Sequence, residues 1–143
     1  MEYKLLEEQN LELMLDFVDD ENTKYNVNDL RKFLKNENSY GFIAKKENKI
    51  IGFAFGYTLI KPDVRKTFYL HAIDVMQEYQ GNGYGTELIK FAKDYAKSIG
   101  CYKMFLITNR SNVSACKCYE KAEGIIKADD EIVYTYDLAN DVN

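Results

Sequence analysis

Residues 73–86 read IDVMQEYQGNGYGT, and this stretch predicts a strand, a glycine-rich turn and a helix in immediate succession. The alternate glycines Gly81, Gly83 and Gly85 have no Cβ to shield the backbone, so successive N–H groups can point at one anion. The helix that follows is amphipathic, because apolar residues recur at the helical period until Gly100 ends it. This arrangement is typical of a phosphate-binding site at a helix N-terminus.

Two common nucleotide-binding motifs do not fit these glycines. A Walker loop requires Lys followed by Ser or Thr after its last glycine, where this chain has Thr86 and Glu87. A Rossmann fingerprint requires two residues between its second and third glycines, and this loop has a single residue there. Residues 80–85, QGNGYG, instead match the acyl-CoA loop of the GNAT family of N-acetyltransferases, which the sequence therefore resembles.

A second block, residues 112–121, resembles a later signature of the same family. Ala115 follows Asn112 by three residues and Tyr119 follows it by seven, which on a helix places the three roughly on one side. A capping Asn, a helix-favouring Ala and a packed Tyr would explain the block without any function. Residues 41–138 look most similar to the aminoglycoside 3-N-acetyltransferase branch.

The sequence departs from the family pattern after this block. The family has one residue between the Lys of Tyr-Glu-Lys and the next Gly, whereas here Ala122 and Glu123 both precede Gly124. The extra residue is expected to displace the strand that follows Tyr119, and with it part of the wall of the acceptor site.

Composition indicates one folded domain over residues 1–143, because 46% hydrophobic and 14% aromatic residues suffice for a core. The sequence has neither an 18-residue apolar run nor a basic-then-apolar leader, so we expect no membrane partner. Three cysteines, an odd count, argue against a disulfide framework and favour a cytoplasmic location. Cys116 and Cys118 with a distant His71 do not form a zinc pattern, so no metal is expected.

The net charge of −4, without a basic stripe, makes nucleic acid an unexpected partner. Acidic residues cluster twice, at Asp16, Asp19, Asp20 and Glu21 and again at Asp129, Asp130 and Glu131. A position on the solvent-exposed surface is enough to explain both clusters. If they flank the acceptor cleft, however, they would attract a cation, which a molecule with several amino groups is at neutral pH.

Patterning predicts an α/β (α+β) fold without linkers or repeats. Strands are expected at residues 2–6, 39–45, 49–60, 67–76, 102–108, 124–128 and 132–138, the last two as a hairpin. Helices are expected at residues 9–19, with Leu11, Met14, Leu15 and Val18 inward, at 27–37, from the glycine loop to Gly100, and at 112–122. Together with the resemblance, this predicts a single-domain GNAT fold, with a mixed central sheet of six to seven strands and about four flanking helices.

The resemblance implies acetyl-CoA as co-substrate and assigns residues to it. The main chain of Ile73 and Val75 would hold the pantetheine arm, and an N–H near Val75 or Met76 would polarise the acetyl oxygen. Asn112 would anchor the pantetheine amide, with Ala115 grouped beside it. The other cofactor-binding residues form the glycine loop: Gln80, Gly81, Asn82, Gly83, Tyr84, Gly85 and Thr86.

The resemblance also assigns Tyr119 as general acid, since a phenol stays protonated at pH 7 and can donate to a thiolate leaving group. The general base is left open among Asp74, His71 and a water-mediated route, because a bulge in the strand would exchange the faces of its side chains. In the aminoglycoside branch the related strand carries its acid two residues earlier, where this chain has Ala72.

The favoured function is direct acetyl transfer from acetyl-CoA to a primary amine of a small molecule, aminoglycoside-like in character. A non-catalytic CoA-binding sensor or interaction module is the alternative, as is acetylation of a protein amine. The retained Tyr119 favours an enzyme, because a module without turnover has no use for a proton donor in register with the loop. A homodimer is left open beside a monomer.

Overall fold

The computed structural model describes residues 1–139. Five strands form its framework: β1 Glu2–Leu5, β2 Ser39–Lys46, β3 Lys49–Ile60, β4 Lys66–Val75 and β5 Cys101–Phe105. Four helices accompany them: a 3-10 helix Glu8–Asp16, α1 Val27–Lys35, α2 Tyr84–Ser98 and α3 Val113–Lys121. A single 3-10 turn, Gln77–Tyr79, leads into the glycine loop. None of the helices within residues 1–139 has both the length and the apolar character to span a bilayer.

The strands form one mixed sheet in the order β1-β2-β3-β4-β5. The first four pair antiparallel with their neighbours, whereas β5 joins β4 in parallel. A parallel pair requires a crossover connection, and α2 provides it between β4 and β5. The predicted mixed α/β architecture is therefore confirmed, and β3 has the predicted bounds.

The prediction of six to seven strands is wrong, because the sheet of the described residues has five. The expected hairpin of residues 124–128 and 132–138 does not form, and residues 124–139 are exposed throughout. The difference begins where α3 ends, since Glu123 has a φ of 72° and the Gly124 N–H donates to the Tyr119 carbonyl over 2.9 Å. This is a Schellman closure with Glu at the position that favours Gly. This closure sets the direction in which the chain leaves α3.

Each face of the sheet has its own hydrophobic core. One core lies between the sheet and α2 and contains Phe42, Ile51, Phe68, Leu70, Leu88 and Ala92. The other lies between the opposite face and the 3-10 helix with α1, and contains Leu11, Met14, Phe17, Leu30, Ile43 and Phe53. The two faces of β4 therefore have different surroundings, which positions the candidate site.

The 3-10 helix corrects the prediction for residues 9–19. Leu11, Met14 and Phe17 are buried, whereas Leu15 and Val18 are 50% and 47% exposed. A 3-10 helix has three residues per turn, so side chains three positions apart lie on the same face. The α-helical period of 3.6 therefore assigns the wrong residues to the buried face. The prediction was therefore right about Leu11 and Met14 and wrong about Leu15 and Val18.

Candidate active site

A wedge opens between the last two strands of the sheet. β4 and β5 pair from Lys66 with Cys101 to Tyr69 with Phe105, and the pairing then stops. β4 continues to Val75 while it remains paired with β3 on its other side. The edge of β4 beyond Tyr69 therefore faces an open wedge with unpaired backbone groups.

The hydrogen bonds at the end of β4 determine which backbone groups face the wedge. The Met76 N–H donates to the Ile51 carbonyl over 2.8 Å and is therefore directed at β3. Because the N–H and C=O groups of successive strand residues alternate between the two edges, Val75 and Ile73 direct theirs into the wedge. The Val75 carbonyl accepts from Gln80 Nε2 over 2.8 Å, which agrees with that direction. Of the two candidates for the polarising N–H, Met76 is occupied and Val75 faces the wedge.

The glycine loop presents open backbone at the start of α2. Gly81 and Gly83 have φ angles of 80° and 83°, and a Cβ added at either would meet nothing within 4 Å. Gly83 is the N-cap of α2, and within the described residues no side chain caps this helix. The first N–H groups of α2 therefore lack partners and carry the positive end of the helix dipole.

Two polar side chains of the same loop form hydrogen bonds to nearby backbone groups and do not face outward. Gln80 Nε2 bonds the Val75 carbonyl, and Asn82 Nδ2 donates to the Tyr79 and Gln80 carbonyls over 3.1 and 3.3 Å. Both polar side chains thus hold the turn in shape, and the surface left for a ligand is backbone amide. The loop can accept an anion such as a pyrophosphate.

Helix α3 packs against the start of α2 and brings Tyr119 to the wedge. Thr86 Oγ1 lies 3.4 Å from Cys118 Sγ, and a Cβ on Gly85 would come within 3.2 Å of the same sulfur. Lys93 Nζ donates to the Ala122 carbonyl over 2.9 Å and ties the far end of α3 to α2. The next residue after Cys118 is Tyr119, half-buried against the core that also contacts Ile73 and Val75.

The Asn112 block has a local structural role. The Asn112 side-chain oxygen accepts from the Ala115 N–H over 3.2 Å and caps α3. The cap explains the spacing of these two residues. The side-chain NH₂ group of Asn112 remains as the donor that a ligand could use.

A bulge in β4 determines where the two candidate bases point. Phe55 pairs with Ala72 and Gly56 with Leu70, which leaves His71 as the extra residue. Without the bulge, His71 and Asp74 would lie on opposite faces. With it, both share the face opposite α2. His71 stacks on Tyr69 at 5.2 Å and packs against the rings of Phe55 and Tyr57.

Asp74 lies at the centre of an acidic pocket. Burial, followed by the charges of Asp20, Asp19 and Glu21, raises the pKa of Asp74 to about 6. The Asp20 backbone N–H acts in the opposite direction on this pKa. Three carboxylates from the turn after the 3-10 helix therefore lie within electrostatic reach of a strand residue more than fifty positions away. Of the two acidic clusters in the sequence, this first one adjoins the site.

Asp19 holds that turn together. Its Oδ1 accepts the backbone N–H groups of Glu21 and Thr23 over 3.0 and 2.9 Å, and its Oδ2 accepts the Tyr25 hydroxyl over 3.1 Å. Burial and Asp19 together raise the pKa of Tyr25, whose ring also packs edge-on against Phe53 at 5.7 Å. The sequence analysis selected the acidic residues of this turn but not Tyr25, for which the Asp-x-x-x-Thr spacing of an Asx-type turn was the available signal.

Tyr119 lies within electrostatic reach of Asp74. Burial raises the pKa of Tyr119, and the charge of Asp74 adds to that shift, as do Cys118 and Cys116. Tyr119 therefore remains protonated at neutral pH while Asp74 is ionised above about pH 6. A group that can donate a proton and a group that can accept one therefore lie close enough to influence each other's charge. Within residues 1–139, no group of three or more His, Cys, Asp and Glu side chains could hold a metal ion.

Comparisons with known proteins find similar sequences. The family model described as the acetyltransferase (GNAT) family matches residues 5–125. Streptothricin acetyltransferase A of Bacillus subtilis (strain 168) is 30% identical over 111 residues, which cover 77% of this chain and 62% of that protein. The chain thus spans less than two thirds of this relative's length.

Solved structures share the fold. An aminoglycoside acetyltransferase from an uncultured soil metagenomic sample, in complex with sisomicin, superposes with a TM-score of 0.79 at 21% identity, covering 96% of this chain and 95% of that one. A probable acetyltransferase superposes with a TM-score of 0.81 at 20% identity, covering 98% and 99%. At these identities the likeness concerns the fold.

Proposed function

Because the chain belongs to the acetyltransferase (GNAT) family, we propose that it transfers the acetyl group of acetyl-CoA directly to a primary amine of a small, polycationic molecule. The observation that carries the proposal is that Asp74 lies beside the carboxylates of residues 19–21 and within electrostatic reach of Tyr119. A proton acceptor and a proton donor thereby share a site with strong negative charge.

The residues of the wedge fit acetyl-CoA. When bound, this co-substrate supplies an activated acetyl thioester. The backbone groups of Ile73 and Val75 would pair with its pantetheine arm, and the amides of residues 81–86 would hold its pyrophosphate. The fit rests on two features of the structure, the open space over Gly81 and Gly83 and the uncapped start of α2. The Val75 N–H would stabilise the oxyanion that forms on the acetyl group.

Asp74 is assigned as the general base. A carboxyl with a pKa of about 6 is roughly 90% ionised at pH 7, and it is more basic than an ordinary Asp. An alkyl ammonium has a pKa of about 10, so the site must bind it and take up a proton from it before the nitrogen lone pair can attack the acetyl carbon. Asp74 can do both, with Asp20 and Glu21 adding attraction for the cation.

Tyr119 is assigned as the general acid. Its raised pKa keeps the hydroxyl protonated, which suits donation to a departing thiolate. His71 is assigned to the wall of the acceptor site and not to proton transfer, because its ring packs among three aromatic rings. The reaction then needs no residue beyond those of the wedge and the acidic turn.

The acceptor class rests on charge. Carboxylates that reach Asp74 favour a molecule with several ammonium groups, because one group can be acetylated while others bind the flanking charges. The names of the related proteins point in the same direction, since they act on streptothricin or were solved with sisomicin. Three free cysteines support a reducing, cytoplasmic setting for the reaction.

A panel of acceptors in a thiol-release assay tests the proposal. The panel contains polycationic sisomicin, the monoamine ethanolamine, a tripeptide with a free amino terminus and neutral trehalose, with product masses measured for each. We expect sisomicin to have a kcat/KM at least about tenfold above ethanolamine, and trehalose to release no thiol above background. Preference for the tripeptide would establish the protein-amine alternative instead.

Asp74→Asn is the matched variant in this assay. Its kcat/KM should fall by roughly 10- to 100-fold with every amine while its affinity for acetyl-CoA in calorimetry is unchanged. Acetyl-CoA binding by the unmodified chain without thiol release from any amine would overturn the enzyme and establish the non-catalytic alternative.

A further inference from the structure

Three aromatic side chains, Tyr69, His71 and Phe105, form an aromatic row where β4 and β5 separate. The Tyr69 ring stacks on the Phe105 ring with 5.0 Å between centroids and 13° between planes, and it also stacks on the His71 ring at 5.2 Å. Tyr69 and Phe105 are the last paired residues of the two strands. The aromatic row therefore begins at the apex of the wedge.

The aromatic row is open to solvent at both ends. Phe105 is 37% exposed, and His71 is exposed as well. His71 reaches this face of the sheet because it is the extra residue of the bulge in β4. Aromatic rings that line a cleft next to a few polar groups are a common means of contacting the apolar part of a ligand. The aromatic row thus offers apolar surface to a molecule in the wedge.

Further aromatic residues hold His71 in place. The Phe55 and Tyr57 rings pack against the His71 ring with 5.3 and 5.9 Å between centroids. Phe33 of α1 packs edge-on against both of these rings, at 5.8 and 6.1 Å. Because a strand and a helix both support His71, a ligand would meet a preorganised surface.

The aromatic row leads towards Asp74. His71 precedes Asp74 by three residues on the same face of β4, and a strand rises about 3.3 Å per residue, so the two lie roughly 10 Å apart along it. A ring with a short arm that bears an amine can therefore contact the aromatic row while its nitrogen lies at Asp74.

Charge alone gives the aromatic row no role. Asp74 and the carboxylates of residues 19–21 would attract a linear amine as strongly as a cyclic amine of equal charge. A linear amine would leave the exposed rings in water. A ring placed against them removes apolar surface of both partners from water and adds the preference of aromatic rings for one another.

We propose that the aromatic row sets the specificity of the acceptor site by selecting amines carried on a ring over linear amines of equal charge. This inference rests on the function proposed above, because it concerns the same acceptor site. It narrows the acceptor from any small polycation to a molecule with an apolar ring face beside an ammonium group. The bulge then serves the site twice, since it directs Asp74 and extends the aromatic row towards it.

Two diamines of equal charge test the selection in the thiol-release assay. The two amino groups of para-xylylenediamine and of hexamethylenediamine are joined by carbon paths of the same length, and only the first compound has a ring. We expect kcat/KM of the unmodified chain to be at least about tenfold higher for para-xylylenediamine, with the difference in KM. Equal values for the two diamines would overturn the proposal.

Phe105→Leu and Tyr102→Leu form a matched pair, because each removes one exposed ring from β5 and Tyr102 lies at the other end of the strand. The comparison also cancels the difference in basicity between the two diamines. Phe105→Leu should lower the preference for the ring about three- to tenfold and change kcat/KM for hexamethylenediamine by at most about twofold. Tyr102→Leu should change neither quantity by more than about twofold.

His71→Ala, at the other exposed end of the aromatic row, should lower the preference as Phe105→Leu does. A preference that both row variants retain, or that Tyr102→Leu lowers equally, would overturn the proposal. So would an equal loss of kcat/KM for both diamines in the row variants, which would indicate a purely structural role.

Calorimetry of each diamine with the chain saturated by CoA, which has no acetyl group to transfer, separates this inference from the proposed function. Tighter binding of para-xylylenediamine that depends on Phe105 and His71 would support the aromatic row even if no amine released thiol, a result that would remove only the catalytic function. Thiol release from both diamines without any difference in binding or kcat/KM would overturn the selection and leave acetyl transfer supported.

Discussion

The two sides of the wedge are built from different atoms. On the cofactor side, the surface offered to a ligand is backbone amide, at Val75 and along residues 81–86, and the polar side chains of Gln80 and Asn82 are used to brace the loop. On the acceptor side, the surface is side-chain carboxylate, from Asp74 and from residues 19–21. The backbone amides on the first side carry no charge that changes with pH, whereas the carboxylates on the second side do.

Because of this difference, different changes are expected to impair the two sides of the wedge. A site made of backbone amides is insensitive to pH and is damaged chiefly by a side chain placed over it. A site made of carboxylates responds to pH, to salt and to neutral replacements. The predictions below test the contrast from the largest effect to the smallest.

Gly83→Asp should weaken acetyl-CoA binding by at least about 100-fold, because a carboxylate would lie at the positive end of α2 where the anion is expected. A Cβ there meets no atom within 4 Å, so the fold should survive. Gly83→Asn is the control, since Asn has the same size and tolerates the left-handed backbone without a charge. Calorimetry should find the Asp variant at least about tenfold weaker than the Asn variant. Equal affinities would remove the anion from this loop.

Tyr119→Phe should lower kcat by about 100-fold while the affinity for acetyl-CoA stays within about twofold, because the ring remains and the proton is lost. Tyr95→Phe is the matched control, since burial also raises the pKa of Tyr95, which packs against Tyr40 and Phe42, away from the wedge. Steady-state kinetics of both variants measure whether kcat falls only in Tyr119→Phe. If the two behave alike, Tyr119 is a packing residue.

Asp74→Asn should reduce kcat/KM by roughly 10- to 100-fold at pH 8 and flatten its pH profile. In the unmodified enzyme, activity requires the carboxylate, so kcat/KM should fall about tenfold per pH unit below about pH 6 and level off above it. A profile with the same inflection in the variant would assign that inflection to another group.

The same substitution should raise the melting temperature at pH 8 more than at pH 5. The pKa of Asp74 is raised in the folded state, so its carboxyl opposes folding least when protonated, and the folded state loses stability as the pH rises through about 6. Asn removes that loss. Loss of activity with a gain in stability would indicate a residue retained for function. A melting temperature lowered equally at both pH values would contradict this interpretation.

Asp20→Asn with Glu21→Gln should raise KM for a polycationic acceptor by several-fold and weaken the rise of KM with salt, as the Debye length shrinks from about 10 Å at 0.1 M. Asp19 is left unchanged, because its hydrogen bonds hold the turn. Glu37→Gln with Glu47→Gln removes the same net charge elsewhere on the surface and serves as control. An identical KM and salt response in both double variants would make residues 20 and 21 ordinary surface.

The sequence predicted best the regions whose structure depends on residues that are neighbours in the chain. The glycine loop, its helix and β3 were predicted because each is encoded by neighbouring residues. The 3-10 helix was assigned the wrong inward set at Leu15 and Val18, since its period differs from that of an α-helix. The final hairpin was predicted from alternation alone, and the described structure leaves residues 124–139 unpaired. Alternation indicates that a strand can form and does not identify the edge that receives it.

The sequence by itself determined the family resemblance and the glycine loop that we propose for the cofactor, because a loop whose ligand groups are backbone amides needs only glycines at fixed spacing in a continuous stretch. The tertiary structure alone decided the acceptor side. It placed residues 19–21 beside Asp74, used a bulge at His71 to choose the face of that carboxyl, and directed Val75 and not Met76 into the wedge. The physical reason is that charge interactions depend on distance in space, which folding establishes between residues far apart in the chain.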